Sequence, residues 1–166
     1  MVVVALGVLA SCDTNRDGER VTACSLLAAA DVARALGAPV SDPDATTDEG
    51  ADALAGRSGC AWATTGGQAA VLVELLRTDD MSDVVRRTGF SAAARFGAAR
   101  SRHPEAESTT VGGAAALWVE ELGMLHVLAG GNYVTFEVAM SSAARARSTA
   151  MALATRAVSR LSTVAV

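Results

Sequence analysis

Residues 114–138 read AAALWVEELGMLHVLAGGNYVTFEV, and this stretch decides the fold. Three apolar runs, Ala114–Glu120, Met124–Ala129 and Tyr133–Val138, are separated only by Glu121-Leu122-Gly123 and Gly130-Gly131-Asn132. Each run is too short for a stable helix and has the length and β-branched or aromatic content of a strand. Glycine-containing links of this length allow only tight reversals, so the three strands must pair antiparallel. Side chains alternate across a strand. Val134, Phe136 and Val138 therefore share one face, and Tyr133, Thr135 and Glu137 the other. In Ala114–Glu120 we place Ala115, Leu117 and Val119 towards the helices and Trp118 and Glu120 away from them.

Working outward, Gly59–Ala63 and Ala69–Leu76 form a hairpin around Gly66-Gly67. Val71, Val73 and Leu75 oppose Leu72, Glu74 and Leu76. Met81 to Arg100 carries apolar residues at helical spacing, with Asp80 as its cap and Gly89 as a point where it kinks or splits. The segment Ser142–Ser162 is helical, with Met151, Ala154, Val158 and Leu161 as its buried stripe and arginines largely off it. Near the start, Cys24–Leu36 reads as a short helix with Gly37 just past its end and Asp31 in its first turn. The expected fold class is α+β: an antiparallel sheet of about five strands with helices packed on one face, in the order α-β-β-α-β-β-β-α.

Composition fits one compact domain and removes several chemistries. The chain has 166 residues, 51% of them hydrophobic and 19% charged, with a net charge of −4. Every cationic side chain is Arg, since the sequence contains no Lys. That excludes a P-loop, a Ser–Lys acylase and a Schiff-base enzyme. Aromatics make up 4% of residues, too few for a base-stacking platform, and the negative charge disfavours nucleic acid.

The first residues read as an address. Val2–Ala10 is an apolar run far too short to span a bilayer, and it stops at Leu9-Ala10-Ser11-Cys12. Those four residues resemble a bacterial lipobox, in which the cysteine thiol receives diacylglycerol. No Arg or Lys precedes the run, a departure from the usual signal peptide. The expected organisation is a signal peptide over residues 1–11, a flexible tether over 12–23 beginning at a lipidated Cys12, and a single α+β domain over 24–166. Cys24 and Cys60 then remain. An even pair in an exported domain reads as a disulfide, and the competing reading is two buried thiols packed as small hydrophobes.

Cys24-Ser25-Leu26-Leu27 with Ala30-Asp31-Val32 and Ala35-Leu36-Gly37, then Gly59-Cys60-Ala61-Trp62, then Val111-Gly112-Gly113-Ala114-Ala115, form a series of short motifs. From Cys24 onward this series resembles the actinobacterial secreted lipoproteins of the domain of unknown function 3558 type. The resemblance implies an envelope location and a Cys24–Cys60 bridge, and it brings no known activity. Ala28 stands where that family often has a capping Thr, and Ala114 where it commonly has an acid.

Chemistry-bearing residues are sparse. His103 precedes Pro104 in a polar loop and reads as solvated. His126 lies in a strand and reads as a partly buried structural histidine. An enzyme reading would need His126 gathered with two of Glu74, Glu120 and Glu137. Gly89-Phe90-Ser91-Ala92-Ala93 only approaches the nucleophile-elbow pattern, and no strand precedes it. The acids Asp42, Asp44, Asp48, Glu49 and Asp52 lack calcium-loop spacing and read as a solvated loop. No catalytic residue, metal or cofactor is expected. The better candidate is a sheet face carrying Leu72, Trp118, His126 and Tyr133, uncovered and able to dock an envelope protein, a lipid or a small apolar ligand. The competing reading puts these residues under a loop or at strand ends.

Overall fold

A computed structural model describes residues 21–46 and 51–164. The signal segment, Cys12, most of the tether, Asp48 and Glu49 lie outside the described residues. The domain already includes the end of the expected tether. Val21 packs against the core, and Ala23 is buried as the first residue of a helix capped by Thr22.

The fold is α+β, built on one antiparallel sheet of seven strands in the order β1-β2-β3-β7-β6-β5-β4. The strands are β1 (Asp44–Ala45), β2 (Arg57–Ala63), β3 (Ala70–Arg77), β4 (Glu107–Val111), β5 (Ala114–Val119), β6 (Met124–Ala129) and β7 (Asn132–Ala139). The helices are α1 (Ala23–Leu26), α2 (Ala29–Leu36), α3 (Ala51–Leu54), α4 (Asp83–Arg87), α5 (Ala92–Arg102) and α6 (Ala143–Val164).

The expected count of about five strands is thus corrected to seven. The two additional strands carry no apolar alternation. β1 is two exposed residues, and β4 is Glu-Ser-Thr-Thr-Val. Both are edge strands, held by backbone pairing to β2 and β5. Polar composition suits an edge that should not recruit further strands.

The helices also divide more finely than expected. Leu27 and Ala28 adopt extended backbone between α1 and α2, so that Leu26 and Leu27 both turn inward. Gly89, at φ +83°, ends the segment after α4, and the chain restarts as α5. Positive φ at that point suits glycine because it lacks a Cβ.

The largest correction concerns the layers. Helices lie on both faces of the sheet. On the first face, α1, α2 and α6 cover Cys60, Trp62, Val71, Val73, Leu75, Leu125, Val127, Val134, Phe136 and Val138. Alanines at 146, 150, 154 and 157 let α6 approach this face closely, while Met151 is only half-buried. On the second face, Ala92 and Phe96 of α5 pack over Leu76, Leu117 and Tyr133.

Trp118 belongs to the first face. It pairs with Leu125, which pairs with Phe136, which pairs with Val73, which pairs with Cys60. That row is one continuous line of the main core, and Trp118 is 3% exposed. Leu117 takes the other face. The strand is apolar on both sides, so its own pattern does not specify its phase. The tight turn through Gly123, at φ +59°, sets the phase by fixing the register with β6. A Cβ on Gly123 would lie 2.9 Å from the Val138 carbonyl oxygen, so the turn requires glycine on two counts.

Two long-range ties hold the first face together. Asp31, in the first turn of α2, accepts from Arg156 at 2.7 Å and Arg160 at 3.1 Å, both on α6. Arg160 also donates to the Leu26 carbonyl at 2.7 Å, at the end of α1. The second tie is covalent: Cys24 and Cys60 form a disulfide with Cα atoms 5.0 Å apart, joining α1 to β2. The buried-thiol reading is thereby set aside.

Replacing both cysteines with alanine opens a loop with a sequence separation of 36 residues. Denaturant unfolding of that variant should show a loss of about 4 kcal/mol on the chain-entropy relation. Trp118 should be shielded from acrylamide in a Trp62→Phe background, and Trp118→Ala should cost about 3–5 kcal/mol. Full quenching of Trp118 would contradict its place in the core.

Candidate binding site

The second face carries two neighbouring rows of side chains. One runs Arg57, Leu76, Tyr133, Leu128, Ala115 and Thr110 across β2, β3, β7, β6, β5 and β4. The next runs Gly59, Glu74, Thr135, His126, Leu117 and Ser108. Helix α5 lies over the middle of both, because its buried residues Ala92, Phe96 and Ala99 recur on one side. Phe96 meets Tyr133 edge-on, with ring centroids 6.4 Å apart.

The four residues of the expected docking face do not form one. Trp118 is on the opposite side of the sheet. Tyr133 and His126 are on this face but lie beneath cover, at 7% and 5% exposure. Only Leu72 remains half-exposed, beside Ala61 and Glu137 in the row beyond the helix. The strand pattern does not indicate that α5 turns back over this side.

His126 is enclosed in a ring stack. It lies 5.9 Å from Tyr133 and 6.0 Å from His103 between centroids, and its Nδ1 is hydrogen-bonded to the Tyr133 hydroxyl at 2.7 Å. His103 is therefore a packing partner as well as a loop residue. Burial, and then the positive charges of His103, Arg102 and Arg95, push the His126 pKa down to about 4. Burial pushes Tyr133 up to about 12. Both groups are neutral at ordinary pH. The His126 Nε2 is buried without a hydrogen-bond partner among the described residues.

The carboxylates needed for an enzymatic cluster are elsewhere. Glu74 shares a row with His126 but stands two strands away, roughly 10 Å in backbone spacing. Glu74 contacts Arg57, Glu137 sits opposite Leu72 and Met124, and Glu120 begins the turn after β5. Among the described residues, no carboxylate comes within ion-pair distance of His126, and no group of His, Cys, Asp or Glu could hold a metal ion. Ser91, the centre of the near-elbow pattern, is the N-cap of α5, and its hydroxyl accepts from the Ala94 N–H at 3.1 Å.

Next to Tyr133 is a cavity of about 230 Å³, bounded by Leu75, Leu76, Phe90 and Tyr133 and by Arg57, Glu74 and Arg95. Phe90 reaches it from the short link between α4 and α5, between Gly89 and the cap Ser91. The three charged groups are not equivalent. Arg57 contacts Asp52 at 3.2 Å and Glu74 at 3.6 Å. Arg95 has no ion-pair partner among the described residues. Phe90 and Arg95 were not singled out by the sequence. Arg95 could have been flagged as the cation flanking the Ala92–Phe96 stripe, but the cavity itself needs the sheet beneath it.

A larger cleft of about 770 Å³ lies at the same end of the strands, towards α6, walled by the Gly112-Gly113 and Gly130-Gly131 turns and by Val158 and Leu161 of α6. Its cation, Arg77, is engaged with Asn132 at 3.3 Å and Asp80 at 3.2 Å. The smaller cavity therefore combines an apolar wall with an unengaged charge, and the larger one does not.

No helix of the described residues is long and apolar enough to cross a membrane. No family model, curated protein or solved structure matches the chain.

His126 gives the fold a measurable acid sensitivity. Its folded pKa is about 4, below the value near 6.5 of an unfolded chain, so the unfolded state binds the proton first as pH falls. Stability is full above pH 6.5 and declines towards pH 4, by about 3 kcal/mol from this residue. Urea unfolding of a His126→Gln variant should show a correspondingly smaller loss between pH 7 and pH 4 than the parent. Equal losses would mean that His126 is not the sensing group.

Proposed function

We propose that the protein is an exported envelope protein, held to a membrane by a lipid on Cys12, whose single domain is a non-catalytic binding module. The Cys24–Cys60 bond carries this reading. Disulfides persist in oxidising compartments outside the cytoplasm. It lies directly downstream of the lipobox-like Leu9-Ala10-Ser11-Cys12 and the polar stretch that follows. The resemblance to the secreted lipoproteins described above leads to the same address.

Support for binding rather than catalysis comes from how the reactive groups are used. The Ser91 hydroxyl caps a helix, and His126 is neutral and enclosed between two rings. The cavity beside Tyr133 is the most suitable receptor for a small ligand, because apolar walls and charged groups meet there. Leu72 and its neighbours are left as a modest rim. No observation favours a nucleic-acid partner or an enzyme centred on His126.

Replacement of Cys12 by alanine tests the address. In fractionated cells, the parent should sediment with membranes, and Cys12→Ala should appear in soluble or released fractions. Retention of the variant on membranes, as for the parent, would defeat the lipid-anchor reading.

A further inference from the structure

We infer that the cavity beside Tyr133 binds a small monocarboxylate with an apolar, ring-sized body; this rests on the reading of the domain as a binding module. The cavity's size sets the first limit. About 230 Å³ is roughly eight water volumes, below the usual range for drug-sized ligands and suited to one ring with a short chain. The walls set the second. Leu76, Phe90 and Tyr133 present apolar surface, and Tyr133 is a neutral phenol whose hydroxyl is already bonded to His126.

Charge sets the sign. Asp52 and Glu74 offset the Arg57 guanidinium, which leaves Arg95 as the cation at the cavity without an ion-pair partner among the described residues. An entering carboxylate gains a planar donor fork that matches its two oxygens. An ammonium group would meet Arg95 uncompensated. A dianion would bring a second negative charge against Glu74, so one carboxylate is the best match. The apolar body then lies against Phe90 and Tyr133, and its burial supplies affinity in proportion to the area covered.

The site is also held in place before a ligand arrives. The Gly89 N–H donates to the Arg86 carbonyl at 3.0 Å where α4 ends, Ser91 caps α5, and the Ala92 N–H donates to Thr78 at 3.0 Å, so the link that carries Phe90 is fixed at both ends. Less ordering is then required on binding.

The test uses the full chain carrying Cys12→Ser and three probes: 3-phenylpropionate, its neutral amide, and 3-phenylpropylamine. Calorimetric titration measures affinity, and backbone amide shifts locate the site. The acid should bind at least tenfold more tightly than the amide, the amine should bind least, and shifts should centre on Leu76, Phe90 and Arg95. Arg95→Gln should erase the preference for acid over amide, with its melting temperature unchanged because this exposed side chain has no ion pair among the described residues to lose. Glu74→Gln should strengthen acid binding a few-fold, a gain that misfolding cannot produce. Equal binding of acid and amide, shifts centred elsewhere, or no binding of the acid at tens of millimolar would each overturn the assignment. Failure here with Cys12→Ala still released from membranes removes only the ligand class. Acid binding in a protein whose Cys12→Ala variant stays on membranes removes only the address.

Discussion

The β3–β7 ladder is the constraint on which the rest of the structure depends. It runs from Ala70–Ala139 to Arg77–Asn132 and joins two meanders that are far apart in the chain. On one side of it lie β1 and β2, and on the other β6, β5 and β4. Val73 opposite Phe136 and Val71 opposite Val138 make the first face continuous, and Leu76 opposite Tyr133 does the same for the second. A one-residue slip would send every one of these side chains to the wrong layer. Because β3 and β7 are not consecutive, the intervening chain has to travel across the sheet. Its α4–α5 segment settles on the second face.

The two faces are unequal in consequence. The first is a large core fastened by α6, by Asp31 with its arginines, and by the disulfide. The second has a smaller cluster of Leu76, Met81, Ala92, Phe96, Leu117 and Tyr133. Its cover is the short α4, α5 and the link between them, with exposed arginines at 86, 87, 95, 100 and 102 against the single acid Asp83 in these elements. Local opening is easiest where few apolar contacts hold an element down. The layer with less to lose by local opening is also the layer with the cavity, while the densely packed face provides a rigid floor beneath it.

Burial on the second face explains the state of its ionisable groups. His126 and Tyr133 lose their charged forms to desolvation, and the neighbouring cations reinforce this for the histidine. Arg57 lies in the same row as Tyr133, but at β2 it remains accessible and finds Asp52 and Glu74. The sheet therefore grades from neutral and buried under α5 to charged and wet towards β2. The cavity beside Tyr133 lies on that boundary.

Several features were legible in the residues alone, because they depend on near neighbours. The α+β class, the tight turns of 114–138, the Gly37 helix stop and the break at Gly89 follow from short-range geometry. Cys60 and Trp62 share a face as their spacing requires. Other features were not legible because they are set by distant partners. β1 and β4 exist through backbone pairing, which leaves no apolar pattern in so short or so polar a strand. The phase of β5 is hidden in a strand apolar on both sides, and only the register of Trp118 with Leu125 places Trp118 in the first layer. Leu72 is half-exposed on the second face, while Tyr133 and His126 share that face but are closed to solvent by α5, a cover that no strand pattern announces. The sequence by itself determined the five apolar strands β2, β3, β5, β6 and β7 and the location of the main helical segments, because periodicity and turn residues act within a few positions. Only the tertiary structure decided what covers each face, because the path of α5 over the second layer is set by where β3 and β7 meet.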